Sequence, residues 1–325
     1  MKQKYYALAE KELEKRRVEN DALQEKNIEA AEKKIPELSQ LRAELSTQGI
    51  AIARLVISGE SDIKNKIDAL AQENLLLQDK IEKLLVANGF AADFLDRIYT
   101  CGICKDTGID KNKICSCKHA LARKIECDEL NSASTIPMSS FESFNLSFYD
   151  DIPGEKGMSP YKIMTKNYDF CKKYAENFHI PYESVLMRGK TGLGKTHLSL
   201  AIANEVMKNG YSVIYGSAPE LFRKMEQEHF NSSSDSQTLE LLESADLIII
   251  DDLGAEFESK FYSAKLYELV NYRLGCGKPM IFNTNLEISE IQQRYGERTA
   301  SRLLTMEMLT FLGSDIRIKK KYAKG

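Results

Sequence analysis

The chain has 325 residues, 43% hydrophobic and 29% charged, with a formal net charge of −3. That is enough for about two domains, and the near-neutral charge excludes a nucleic-acid surface built on overall basicity, so any such contact must be a local patch. The N-terminal MKQKYYALAEKELEKRR lacks the apolar core of a secretory signal, and the longest apolar run, LIIIDDL at 247–253, is a strand's length and not a membrane span's. Seven cysteines without such a signal point to a reducing cytoplasm, where clustered thiols serve metals more often than disulfides.

Residues 1–98 are rich in Glu, Lys, Leu, Ala and Gln, have no glycine before Gly49, and predict helix. In IKNKIDALAQENLLLQDKIEKLL (63–85), Ile63, Ile67, Leu70, Leu77, Ile81 and Leu84 alternate by three and four, with Asn74 in the one polar slot. This is a coiled-coil-like heptad seam with Asn at an a-type position. Leu38, Leu41 and Leu45 give a shorter seam, Gly49 and Gly59 read as breakers between the two, and Pro36 as a kink or a helix start. The seams fit an antiparallel hairpin within the chain, a coiled coil between chains, or one amphipathic helix awaiting a partner. None of these makes the region catalytic.

Residues 99–120 form a separate cysteine module, Cys101-x2-Cys104-x10-Cys115-x-Cys117. Four soft ligands in so short a segment suit Zn2+, and four protein ligands leave no open position, so the role is structural. Metal would supply much of the module's folding free energy. The closing Cys-x-Cys is irregular, which leaves His119 as a substitute for Cys115 or Cys117, and free thiols or an iron–sulfur cluster as alternatives. Cys127, Cys171 and Cys276 stand alone and read as buried small hydrophobes. Residues 121–160, rich in Ser and Pro with interspersed aromatics, read as a connector.

Residues 161–325 alternate helix and strand: helix 161–178, strand 184–189, helix 196–210, strand 211–217, helix 218–230, strand 245–251, helix 260–277 and strand 279–285. Two further helical stretches and a short final strand follow. The expectation is an α/β domain with a parallel sheet covered by helices on both faces. Its first strand runs into Gly189-Lys190-Thr191-Gly192-Leu193-Gly194-Lys195-Thr196, a complete GxxxxGK[ST] phosphate loop opening a helix. Backbone N–H groups freed by Gly189, Gly192 and Gly194, with Thr191, would cradle the phosphates of a nucleoside triphosphate. Lys195 would reach the β and γ phosphates, and the Thr196 hydroxyl would ligate Mg2+. ADLIIIDD ends an apolar strand in two acids: Asp251 would hold the Mg2+ through water, and Asp252 would polarise the attacking water, with Glu256 as second candidate. Asn285, or failing it Asn283, could touch the γ-phosphate from the end of PMIFNTN. Downstream, Arg298 and Arg302 share a helical face, and Arg317 precedes a basic tail.

This set of motifs resembles AAA+ ATPases and, within them, the DnaC/DnaI/IstB group. The residues that carry the resemblance are RGKTGLGKTHLS, LIIIDDLG with Glu256 close behind, IFNTNL, YGERTASRLL and GSDIRIKKK; order and spacing agree across 140–325. FESFNLSFYDD looks like the group's lead into its ATPase domain, and with the cysteine module before it the layout is similar to DnaC/DnaI-type helicase loaders. The resemblance implies an ATP-driven loader. It would bind the hexameric replicative DNA helicase (DnaB-type) through the N-terminal region, self-assemble through the AAA+ domain and place the helicase on single-stranded DNA. It implies Asn285 as sensor 1, Arg302 as arginine finger with Arg298 sharing that role, and Arg317 as sensor 2. Asp252 stands where many AAA+ proteins have Glu. The helix with Phe222, Arg223 and Lys224 is a candidate DNA contact, against an ordinary amphipathic helix with Phe222 in the core. Two other functions share these residues: an IstB-like transposition helper, and a nucleotide-controlled adaptor with little turnover.

Overall fold

The computed structural model describes residues 3–58, 63–132, 138–153, 157–230 and 237–322. It divides into two compact units, Ala7–Lys118 and a unit that joins Met1–Tyr6 to His119–Gly325.

In Ala7–Lys118 the helices are α1 (Gln3–Lys34), α2 (Glu37–Ser58) and α3 (Ile63–Ala87). Pro36 falls between α1 and α2, where its missing N–H costs no helical bond and its fixed φ suits a helix start. Lys80 pairs with Glu37 at 2.6 Å and Gln48 reaches Glu73 at 3.4 Å, so α2 and α3 run antiparallel within the chain. Leu38, Leu41, Ile81 and Leu85 are buried with Ala31 and Ile35, and Leu45, Leu77 and Leu84 pack against them. Asn74 is half-buried and accepts from Gln78 one turn on. Gly49, expected as a breaker, lies inside α2. One exposed glycine costs a helix only about 1 kcal/mol, and its flanking helix formers carry the turn. Gly59 and the Ile63 side chain lie outside the described residues. The cysteine segment adds β1 (Ile109–Asp110) and β2 (Lys113–Ile114), paired antiparallel. Lys111 and Asn112, at φ 45° and 64°, make the left-handed two-residue turn between them.

The stretch expected to be a connector opens as helix: α4 spans Ser116–Ser132. The elements that follow are α5 (Pro160–Glu176), β3 (Val185–Arg188), α6 (Lys195–Lys208), β4 (Val213–Ser217), α7 (Ala218–Phe230), α8 (Gln237–Ser244), β5 (Leu247–Leu253), α9 (Lys260–Gly275), β6 (Met280–Thr284), α10 (Ile288–Leu303), β7 (Glu307–Thr310) and α11 (Ile316–Tyr322). One helix, α8, was not expected. Of the two helical stretches and short strand expected after residue 285, the structure has α10, β7 and α11, and Gly296, at φ 80° and ψ 160°, kinks α10. The five-stranded sheet has the order β4-β5-β6-β3-β7, with every pair parallel. Its strands are near-continuous apolar runs because both faces are covered. On one face lie Leu221, Phe222, Leu242, Leu266, Leu269 and Leu303; on the other Met164, Tyr174, Leu198, Ile202 and Val206. Phe222 is fully buried in the first of these cores, which removes it from any DNA-contacting face.

β6 lies between β3 and β5. The ends of the phosphate-loop strand and of the acid-bearing strand are therefore separated by one strand, whose last residues sit between the two. A ligand at such a crossover meets residues from all three.

Arg273 of α9 is fully buried. Its guanidinium donates to the carbonyls of Leu242, Ala245, Asp246 and Pro279 at 2.5–3.2 Å, closing the C-terminal end of α8 onto the α9–β6 turn. Burial pulls its pKa down to about 9, and the ring of carbonyls is what keeps a cation there tolerable. Arg273→Met leaves those carbonyls without a donor and is expected to destabilise the protein by about 3 kcal/mol or more, read as a lowered midpoint in urea denaturation.

Candidate nucleotide site and cysteine cluster

The phosphate loop connects β3 to α6. Gly192 and Gly194 have φ of 77° and 90°, the left-handed region that side chains avoid. A side chain at Gly192 would also strike the carboxylate of Asp315, and one at Gly194 the ring of Phe144. Lys195 is 5% exposed; its ammonium donates to Gly189 O at 2.6 Å, Lys190 O at 2.9 Å and Asn285 Oδ1 at 2.7 Å. Burial holds this ammonium below its usual range, Arg317 adds to that, and Asp252 and Asp251 pull it back.

β5 carries a bulge. Ile250 faces Phe282 and Leu253 faces Thr284, so Asp251 and Asp252 together oppose Asn283 alone. Asp252 takes φ 51°. Two successive acids on a regular strand would point to opposite faces; the extra residue lets both serve one end of the sheet. Asp251 is buried and accepts from Thr196 Oγ1 at 2.8 Å and Asn283 Nδ2 at 2.8 Å. Asp252 lines the open cleft with Thr191, Gly192, Gly194, Lys195, Thr196, Asn285 and Arg317. Desolvation, then the neighbouring Asp251 charge, raise the Asp252 pKa above the ordinary Asp value, while Lys195 and Arg317 work against that. The donor set of Thr196 and Asp251 is all oxygen, which fits Mg2+.

Glu256 is not brought into this cleft. It is buried, accepts from Gly254 N at 2.9 Å and Arg294 Nε at 3.1 Å, and also takes the Tyr295 hydroxyl. Arg298 and Arg302 do not line the cleft either: Arg298 is exposed, and Arg302 bonds Asn271 Oδ1 at 2.7 Å and lies over the Tyr267 ring. Arg317 does line it, while the side chains of Lys320 and Lys321 lie outside the described residues. Sequence reasoning missed two contributors. Phe144, Asn145 and Phe148 form one wall of the cleft, and Tyr149 donates to Leu193 O at 2.8 Å. His197, beside Thr196, bonds Ser140 O at 2.9 Å and meets the Phe144 ring edge-on.

In the other unit the sulfurs of Cys101, Cys104, Cys115 and Cys117 lie within 4.8 Å of one another. Opposite pairs are 3.9 Å and 3.4 Å apart, close to the about 3.8 Å that a tetrahedron of Zn–S bonds requires, so the residues present fit a metal. His119 is not among them; its Nδ1 bonds the Tyr6 hydroxyl at 2.6 Å. Asp106, unremarked in the sequence, is buried and takes the N–H groups of Thr100 and Cys101 at 2.7 and 2.8 Å, fixing the first cysteine turn. Cys127 and Cys171 are buried as expected, whereas Cys276, which caps α9 just beyond its last turn, is exposed. Among the described residues no helix is long and apolar enough to cross a membrane.

Comparison with known proteins places this geometry. Residues 173–319 match the family model of the IstB-like ATP binding protein. Replicative helicase loader DnaC of Escherichia coli (strain K12) is 32% identical over 134 residues, which are 41% of this chain and 55% of DnaC. The DnaC of Buchnera aphidicola subsp. Baizongia pistaciae (strain Bp) is 29% identical over 134 residues, 41% of this chain and 54% of its own. The chain thus spans about half the length of the curated relatives it matches. A crystal structure of DnaI aligns at 20% identity over 57% of this chain and 98% of that one, with a TM-score of 0.45. The phosphate loop, the paired acids and the sheet order make this a parallel α/β domain with a phosphate-loop nucleotide site, and its residues 173–319 are similar to the IstB-like ATP binding protein and, in part, to DnaC.

Proposed function

We propose that the protein is an ATPase that loads a replicative DNA helicase onto single-stranded DNA. The observation that carries this reading is the convergence in one cleft of Lys195, Thr196, Asp252, Asn285 and Arg317, on a domain similar to the helicase loader DnaC. Lys195 would exchange its loop carbonyls for phosphate oxygens. Thr196 and Asp251 would hold Mg2+, which supplies charge neutralisation at the β and γ phosphates. Asp252 is the better placed of the two acids to orient and deprotonate the attacking water, because Glu256 is committed to Arg294 and Tyr295. Asn285 would hold that water or the γ-phosphate from the end of β6. Arg317 would contact phosphates in its own subunit, and Arg302, with Arg298, would serve a neighbour's site on self-assembly. The helical hairpin, residues 99–120 with structural Zn2+, and the N-terminal helices would bind the helicase.

This reading is tested at the helicase interface, at the nucleotide cleft and at the cysteine cluster. The full chain is expected to form a complex with the cognate replicative helicase in size-exclusion light scattering. Lys195→Ala should keep that complex while losing binding of a fluorescent ATP analogue; no complex with the folded wild-type chain would move the reading to a transposition helper. Asp252→Asn should lower the ATP hydrolysis rate by about 100-fold or more, whereas Glu256→Gln should change it far less; equal losses would return the base to Glu256. Cys101→Ser should release the zinc bound by the full chain, measured by a chromogenic chelator, and unchanged zinc content would defeat the metal assignment.

A further inference from the structure

One buried side chain next to the cleft has no role in the reading above. Asn283 lies in β6 directly opposite the β5 bulge and is fully buried. Its amide Nδ2 donates to Asp251 Oδ1 at 2.8 Å and to Ser199 Oγ at 2.8 Å. Ser199 in turn donates to the Thr196 carbonyl at 3.1 Å, and the Thr196 hydroxyl returns to Asp251 at 2.8 Å. The four residues close a ring that crosses from α6 to β5 to β6 and back.

The chemistry of this ring is directional. A carboxylate only accepts, so the amide nitrogen must face Asp251. The orientation leaves Asn283 Oδ1 buried with no hydrogen-bond partner among the described residues. An unpartnered buried acceptor costs about 1–3 kcal/mol, so packing alone gives no reason for an amide here; a valine or leucine would fill a central strand without that cost. What the amide provides is a second anchor on the carboxylate. On the β6 side the bulge releases Asp251 from the ladder, while on the other side it stays in register with Ser217 of β4; apart from Asn283, its carboxylate is held by the Thr196 hydroxyl. Asn283 fixes the plane of the carboxylate from the opposite side. Asn285, one residue past the end of β6, meets Lys195 instead. One strand end thus carries two amides with separate duties.

We propose that Asn283 is a positioning residue for the Mg2+ site, orienting the Asp251 carboxylate and, through Ser199, the Thr196 backbone. The proposal rests on the assignment of Asp251 and Thr196 to Mg2+. Partners of metal-ligating carboxylates are worth about 10–100-fold in metal affinity. The test uses the full chain and a fluorescent ATP analogue, titrated with Mg2+ and, separately, in EDTA. Asn283→Leu should raise the Mg2+ concentration for half-maximal enhancement of binding by about 10-fold or more and leave the EDTA affinity as in wild type. Ser199→Ala should give a smaller rise in the same direction. Asp251→Asn is the control. If it raises the Mg2+ requirement and Asn283→Leu does not, the positioning role is wrong. If Asp251→Asn leaves the Mg2+ requirement unchanged, the Mg2+ assignment itself has failed. A loss of affinity in Asn283→Leu that is equal with and without Mg2+ would mean a structural role only and overturns the proposal. Should Asn283→Leu not fold, Ser199→Ala carries the test, and a Mg2+ requirement at the wild-type level overturns the proposal in that case too.

Discussion

One extra residue in β5 governs the geometry of the nucleotide site. A strand's period of two would turn Asp251 and Asp252 to opposite faces of the sheet, and only one could meet the phosphate loop. The bulge sets both against Asn283 and puts Asp252 at φ 51°. Holding a non-glycine residue in that region costs on the order of 1 kcal/mol, and it persists because the surroundings determine it from three sides. Asp251 is fixed by Thr196 and Asn283, Leu253 returns to register against Thr284, and the Thr284 hydroxyl donates to Leu253 O at 2.7 Å. The strand order then matters as much as the bulge. Because β6 separates β3 from β5, its two amides reach the lysine on one side and the acid on the other.

The two acids end in different electrostatic conditions as a result. Asp251 is enclosed by donors, while Asp252 faces the cleft beside a charged neighbour, and desolvation and that neighbour raise its pKa. Lys195 and Arg317 oppose the shift, so the same cations that would meet phosphate also keep Asp252 ionisable. Two adjacent carboxylates in unlike surroundings are the arrangement by which one binds a cation and the other handles a proton.

Much of this was legible in the sequence because it is local. The phosphate loop needs consecutive residues, the paired acids end an apolar run, and the heptad seams of α2 and α3 follow from spacing alone. The four cysteines met because a short loop and a two-residue turn bring them together. The misses are of two kinds. Gly49 reads as a breaker by residue type, but one exposed glycine costs a helix only about 1 kcal/mol and the helix formers around it carry α2 through. Glu256 read as a candidate base because its distance along the chain from Asp252 is short. The turn at Gly254 buries it against Arg294 and Tyr295, and nothing in the local sequence encodes a partner 38 residues away. Asp106 acts on backbone N–H groups and carries no motif, and Asn283, read as the fallback for the γ-phosphate, lies buried against Asp251 and does not line the cleft.

The walls of the cleft show the same limit at longer range. On one side Phe144 and Tyr149 press on Gly194, and the Tyr149 hydroxyl holds Leu193 O. On the other, Phe311 abuts Gly189, Asp315 abuts Gly192, and Ile316 N donates to Gly192 O at 3.0 Å. Lys319 then ties the two walls together, donating to Phe148 O and Asp150 Oδ1 at 2.8 Å each. A loop of glycines has little side-chain packing of its own and pays the largest entropy to hold one shape. Here the segments that flank the sheet at both ends of the domain supply the packing. The glycines are therefore needed twice, once for their φ and once for the absence of a Cβ where phenylalanine, tyrosine and aspartate close in. Arg317 reaches the cleft as a consequence of that closure, two residues after the aspartate that seats α11 against the loop.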